Sequence, residues 1–99
     1  MNINFTARKF DASQSLQDFV NEEIEKLTRF YDGILSCDVV LEPTPDDEQP
    51  ARAELTVKVK RDLLNASETG PAYEQATRSA VESIRRQLLK YKNKRSARN

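Results

Sequence analysis

Eight basic residues crowd the last quarter of the chain: Arg78, Arg85, Arg86, Lys90, Lys92, Lys94, Arg95 and Arg98. Glu82 is the one acid between Ala76 and Asn99, so this stretch carries about +7 (8 − 1). Residues 1–75 hold the other eight bases and fifteen acids, about −7 (8 − 15), and the formal total is zero. Arginine forks grip phosphate through paired hydrogen bonds, and lysines add point charges, so the chemistry on offer is binding of a polyanion, nucleic acid first. At 100° per residue on a helix, Arg78, Arg85 and Lys92 fall on one flank, and Arg86, Lys90 and Lys94 on the other. Cations that only complement a helix C-terminus would account for two or three bases, not eight against one acid. An acidic protein would also attract such a helix. A membrane surface ranks lower, because the helix lacks tryptophan and a bulky apolar stripe.

Other chemistries find less to work with. The chain has no histidine and one cysteine, Cys37, so neither a Cys/His zinc site, a histidine-based triad nor an internal disulfide can be built within it. Its two glycines, Gly33 and Gly70, cannot make a glycine-rich phosphate loop. Asp46, Asp47 and Glu48 lack the spacing and glycine of an EF-hand and read as a solvated acidic loop. Lys26 and Arg29 are evenly balanced between pairing with nearby glutamates and contacting phosphate. No enzyme, cofactor, metal or small-molecule substrate is expected, and no apolar run approaches the roughly 20 residues of a membrane span. These features fit a cytoplasmic protein.

The elements that must position the basic residues are legible from periodicity. Asn2–Arg8 alternates, with Ile3, Phe5 and Ala7 on one side, and reads as a strand. Ser13 is suited to cap a helix carrying Leu16, Val20, Ile24, Leu27 and Tyr31 on one face, with Phe19 and Phe30 beside them and Gly33 as its stop. Glu22–Lys26 and Glu25–Arg29 have the spacing of helical ion pairs. Ile34–Glu42 is a second strand, with Leu35, Cys37, Val39 and Leu41 inward. Pro43–Pro50 is a loop, and Ala51–Lys60 alternates as a third strand with Ala53, Leu55, Val57 and Val59 inward. Leu63–Ser67 is a short fourth strand. Gly70-Pro71 opens the last helix, Pro71–Lys94, whose stripe is Tyr73, Thr77, Ala80, Ile84, Leu88 and Tyr91. That helix would be about 36 Å long, and its last turns should project past the sheet.

The expected fold is α+β, in the order β-α-β-β-β-α. It is a four-stranded mixed sheet with two helices on one face, a parallel first pair of strands, and a polar face open to solvent. That face has no paired aromatics on which bases could stack. The whole chain, 1–99, is one domain, with a flexible basic tail at 95–99.

The residues also carry a resemblance. Asn2-Ile3-Asn4-Phe5-Thr6, then Phe19-Val20, Ile24, Lys26-Leu27 and Phe30-Tyr31-Asp32, resemble the first strand and helix of the short ribosome hibernation promoting factor family. Ala53-Glu54-Leu55-Thr56-Val57 and Leu64-Asn65-Ala66-Ser67 resemble its last two strands. The most specific segment is Tyr73 with Ala76, followed by Arg86-Gln87-Leu88, Lys90, Lys92 and Lys94. The family includes the bacterial ribosome-associated inhibitors and belongs with the sigma-54 modulation proteins. Its fold is similar to a double-stranded RNA-binding domain.

The resemblance implies more than charge can. It implies binding to the small ribosomal subunit, in the channel for messenger RNA and the A- and P-site transfer RNAs. It implies blocked initiation and preservation of idle ribosomes in starved or stationary cells. Arg86, Lys90, Lys92 and Lys94 would contact ribosomal RNA, and Lys26 matches a family lysine; Arg78 and Arg85 join them from helix geometry. Gly70-Pro71 stands where relatives often carry an acid, and Ser83 where they carry a base, with Arg85 near enough to compensate. The chain resembles the short form, without the domain through which longer members pair ribosomes. A general double-stranded RNA-binding module and an adaptor that docks its basic helix on an acidic protein remain the alternatives.

Overall fold

The structure is a computed structural model that describes residues 2–96, with side chains through Asn93. Six elements follow in the expected order: β1 (Asn2–Ala7), α1 (Gln14–Phe30), β2 (Ser36–Pro43), β3 (Ala51–Val59), β4 (Asp62–Gly70) and α2 (Tyr73–Ser96). The strands lie side by side as β1-β2-β3-β4. β1 pairs parallel to β2, and the other two pairings are antiparallel.

Alternation along the strands decides which face is covered. Cys37, Val39 and Leu41, Ala51 through Val59 at every second position, and Leu64 and Ala66 are buried. Leu16, Val20, Ile24 and Leu27 of α1 and Ala76, Ala80, Ile84 and Leu88 of α2 complete the same core. The opposite face is a lattice of polar pairs fixed by register. Asn4 donates to Asp38 at 2.8 Å, Asn65 donates to Thr56 at 3.0 Å, and Arg52 pairs with Glu42 at 2.6 Å.

α1 begins as the sequence suggests. The Ser13 side chain accepts from the Leu16 amide at 3.1 Å, satisfying one of the free amides of the first turn. Its stop works differently. Gly33 has no left-handed backbone; a Cβ there would lie 2.6 Å from the Tyr31 ring, so glycine lets that ring fold across the chain.

Four expectations about boundaries need correction. Leu35 is exposed rather than inward, because β2 starts at Ser36 and it is Ile34 that dips into the core from the preceding loop. β4 continues through Glu68, Thr69 and Gly70, which pair with Ala53, Arg52 and Ala51; an edge strand tolerates polar residues that broke the apolar pattern. α2 starts at Tyr73, not Pro71, with the Ala72 carbonyl accepting from the Ala76 amide at 3.1 Å. It continues to Ser96, so Arg95 and Ser96, the first two residues of the expected tail, are helical; 97–99 lie outside the described residues.

Both helices start at the end of the sheet marked by the row Pro43, Ala51 and Gly70, beside the acidic loop, and run to the other end. Phe10 stacks on Tyr73 at 4.5 Å near their start. Tyr31 meets Tyr91 edge-on at 5.9 Å near their finish. Leu88 is buried, and Tyr91 and Lys92 meet the Tyr31 and Phe30 rings, so α2 stays docked on the end of α1 through residue 92.

Candidate nucleic-acid interface

The rotational setting of α2 determines which side chains it shows to solvent, and contacts on both flanks fix that setting. On the β4 flank the Gln87 amide donates to the Asn65 carbonyl at 2.9 Å. On the α1 flank Arg78 lies 5.0 Å from the centroid of Phe19. Arg85 and Lys92 lie 5.1 and 4.8 Å from the centroid of Phe30. Cations over ring faces are attracted by the ring quadrupole, by about 0.5–1 kcal/mol at exposed sites. Between the flanks, the outer arc holds Glu82, Arg86, Leu89 and Lys90, all exposed.

The seven expected contact residues divide into two groups. Lys26, Arg78 and Arg85 line the groove between the helices with Glu23, Glu82 and Phe30, and Lys92 reaches the same Phe30 ring. Arg86 lies on the other side of the crest, where it lines an open recess with Glu68, Ser79, Glu82 and Arg78 beside β4, so Arg78 borders both groups. Lys90 is exposed on the same flank as Arg86. The backbone of Lys94 continues α2, but its side chain lies outside the described residues.

Ion pairing leaves most of this charge uncompensated. Arg85 approaches Glu82 at 3.8 Å, with both side chains about half exposed, and such pairs are worth about 0–1 kcal/mol. Among the described residues, Arg78, Arg86, Lys90 and Lys92 make no ion pair. Lys26 does: its ammonium lies 2.6 Å from a Glu23 oxygen. That partner is three residues back and largely buried, whereas the spacing had favoured Glu22. The Lys26 side chain is still 60% exposed, so its outer side remains open to an anion.

The acidic loop is occupied with its own backbone. Asp46 accepts from the Glu48 and Gln49 amides at 2.9 and 3.3 Å. Among the described residues, no cluster of three or more His, Cys, Asp or Glu could hold a metal ion, and no helix is long and apolar enough to cross a membrane. What the surface can do is hold a phosphodiester backbone along two flanks of one helix.

Sequence reasoning missed the part played by Phe19 and Phe30, though a signal existed. They are eleven residues apart, three helical turns, so they share one flank of α1. Arg78, Arg85 and Lys92 recur every seven residues along α2. Two aligned rows on parallel helices can meet. Leu89, half exposed on the crest among the cations, was also missed.

The chain is also similar, in sequence and in fold, to known proteins. Residues 3–96 match the family described as sigma 54 modulation protein / S30EA ribosomal protein. The ribosome hibernation promoting factor of Escherichia coli K12 is 27% identical over 94 residues, covering 95% of this chain and 96% of that protein. The Azotobacter vinelandii protein of the same name is also 27% identical over 94 residues, covering 95% of this chain and 85% of that protein. The crystal structure of the Thermus thermophilus Protein Y N-terminal domain superposes with a TM-score of 0.80 at 27% identity, covering 92% of this chain and 99% of that one. A ribosomal subunit interface protein from Coxiella burnetii shares the fold at a TM-score of 0.83 and 18% identity, covering 94% and 99%. The family match runs from the first strand to the end of α2, and solved relatives share the β-α-β-β-β-α order: this chain belongs to the sigma 54 modulation protein / S30EA ribosomal protein family.

Proposed function

We propose that this protein is a ribosome hibernation factor. It binds the small ribosomal subunit in the channel that messenger RNA and the A- and P-site transfer RNAs otherwise occupy. It thereby blocks initiation and preserves idle ribosomes in starved or stationary cells. The observation that carries the reading is the uncompensated charge on α2. Arg78, Arg86, Lys90 and Lys92 have no carboxylate partner among the described residues, and ribosomal RNA backbone would supply the missing anions. Lys26 and Arg85 add to the surface beside α1, and Lys94 joins through its place on the helix. Relatives named as ribosome hibernation promoting factors support the same partner. On this reading the protein works in the cytoplasm, on small subunits and whole ribosomes, and performs no catalysis.

The test is to sediment the purified protein with vacant bacterial ribosomes and with separated subunits at near-physiological salt, assaying translation in parallel. Stoichiometric migration with the small subunit and whole ribosomes, with translation inhibited, is the expected result. Absence of comigration would overturn the reading, and a titration with bare duplex RNA would then test the protein as a free RNA-binding module.

A further inference from the structure

Phe30 is the last residue of α1, and its ring lies under two cations of α2. The Arg85 guanidinium is 5.1 Å and the Lys92 ammonium 4.8 Å from the ring centroid. Their attachment points are two turns apart, about 10.5 Å along the axis, yet both side chains lean to the same ring. Long cationic side chains are costly to immobilise, and two like charges drawn to one point repel. The ring's negative face offsets part of that repulsion. Carboxylates do not finish the job: Glu82 stands 3.8 Å from Arg85, Glu23 is taken up by Lys26, and Lys92 makes no ion pair among the described residues. The groove lining counts Lys26, Arg78 and Arg85 against Glu23 and Glu82, a net +1 (3 − 2), and Lys92 adds a further cation over the Phe30 ring at its wall. An anion is what this arrangement lacks.

We propose that Phe30 is a positioning residue of the RNA-binding surface, its ring holding Arg85 and Lys92 together as a two-cation clamp for phosphate backbone in the α1–α2 groove. The inference rests on the ribosome-binding reading above and says which element organises the contact. Side chains held in place before binding have less freedom to lose on binding. A ring already engaged by cations is also withheld from base stacking, so the clamp engages backbone and is indifferent to sequence.

Two substitutions separate the ring from its bulk. Phe30→Leu keeps the apolar contact with α2 and removes the ring; Phe30→Tyr keeps the ring. Each full-length variant, checked for folding by circular dichroism, is titrated with purified bacterial small ribosomal subunits across a potassium chloride series. Phe30→Leu should weaken binding roughly 3- to 30-fold. It should also lower the slope of log affinity against log salt by about one. Phe30→Tyr should keep both. In the free protein, the upfield ring-current shifts of the Lys92 and Arg85 methylene protons should vanish with leucine and persist with tyrosine. If Phe30→Leu fails to fold, Phe30→Met takes its place.

Unchanged affinity and slope in the folded leucine variant would overturn the proposal. So would equal weakening by leucine and tyrosine, or weakening with the salt slope intact. Failure of the unsubstituted protein to bind the subunit is a different result: it overturns the functional reading itself and the clamp with it.

Discussion

Thr77 sits at the centre of the buried face of α2, fully inaccessible to solvent, and its hydroxyl has no hydrogen-bond partner. A buried hydroxyl left unpaired costs about 1–3 kcal/mol, and valine has nearly the same shape. Thr77→Val should therefore stabilise the protein by about 1 kcal/mol, read as a higher urea midpoint at unchanged slope. Cys37 presents the converse case, a polarisable group content in an apolar site. Burial first, and the Asp38 carboxylate second, push its thiol from 9.0 up to about 12. The folded state thus keeps the proton that the unfolded chain surrenders above about pH 9. Stability from this group is complete below pH 9 and falls as pH rises toward 12, by up to about 1.4 kcal/mol per pH unit. Cys37→Ala should flatten that alkaline decline relative to the unsubstituted protein in denaturant melts across pH 8–11. At this scale the sequence revealed which residues face inward, Thr77 and Cys37 among them, because alternation and helical spacing report directly on burial. It did not reveal that Phe30 would carry two cations. Such a contact depends on how two helices are set against each other, which no local pattern encodes.

At the scale of elements, the proposed function turns on α2. Its interior flank is held by the core, and its outer arc is free of structural duty. Reversing two outer charges should therefore separate binding from folding. Arg86→Glu with Lys90→Glu should reduce cosedimentation with small subunits by more than about tenfold, since hydrogen bonds to charged groups are worth about 1.5–3 kcal/mol each. Exposed substitutions of this kind usually move stability by about 0.5 kcal/mol or less, so the melting temperature should hardly change. Normal cosedimentation of the folded double variant would remove α2 as the contact surface. All six elements could be read in order from the sequence. The errors gathered at ends: Leu35 before β2, Glu68–Gly70 closing β4, and Pro71–Ala72 before α2. Ends are decided by partners rather than by propensity. Ala53 and Arg52 draw Glu68 and Thr69 into the sheet, although the two taken alone look like loop.

At the scale of the whole molecule, occupancy of a channel makes a sharper claim than affinity for RNA. Messenger RNA and transfer RNA, each added separately, should displace the protein from small subunits. Bare duplex RNA at equal nucleotide concentration should compete much less. Equal competition by duplex RNA would favour the general RNA-binding reading. The fold places the acidic loop at one end of the sheet and carries the basic helix toward the other, along a body 47 Å in its longest extent. With no net charge, long-range attraction to a polyanion has no monopole to act through. What remains is the separation of acidic and basic regions, whose pull fades faster with distance than that of a net charge and is further cut off beyond a Debye length of about 8 Å in physiological salt. Such a molecule is not gathered from afar by every strand of RNA in its surroundings. On the proposed reading it diffuses as a neutral particle and is turned, basic helix foremost, only once it is already close to a dense wall of phosphate.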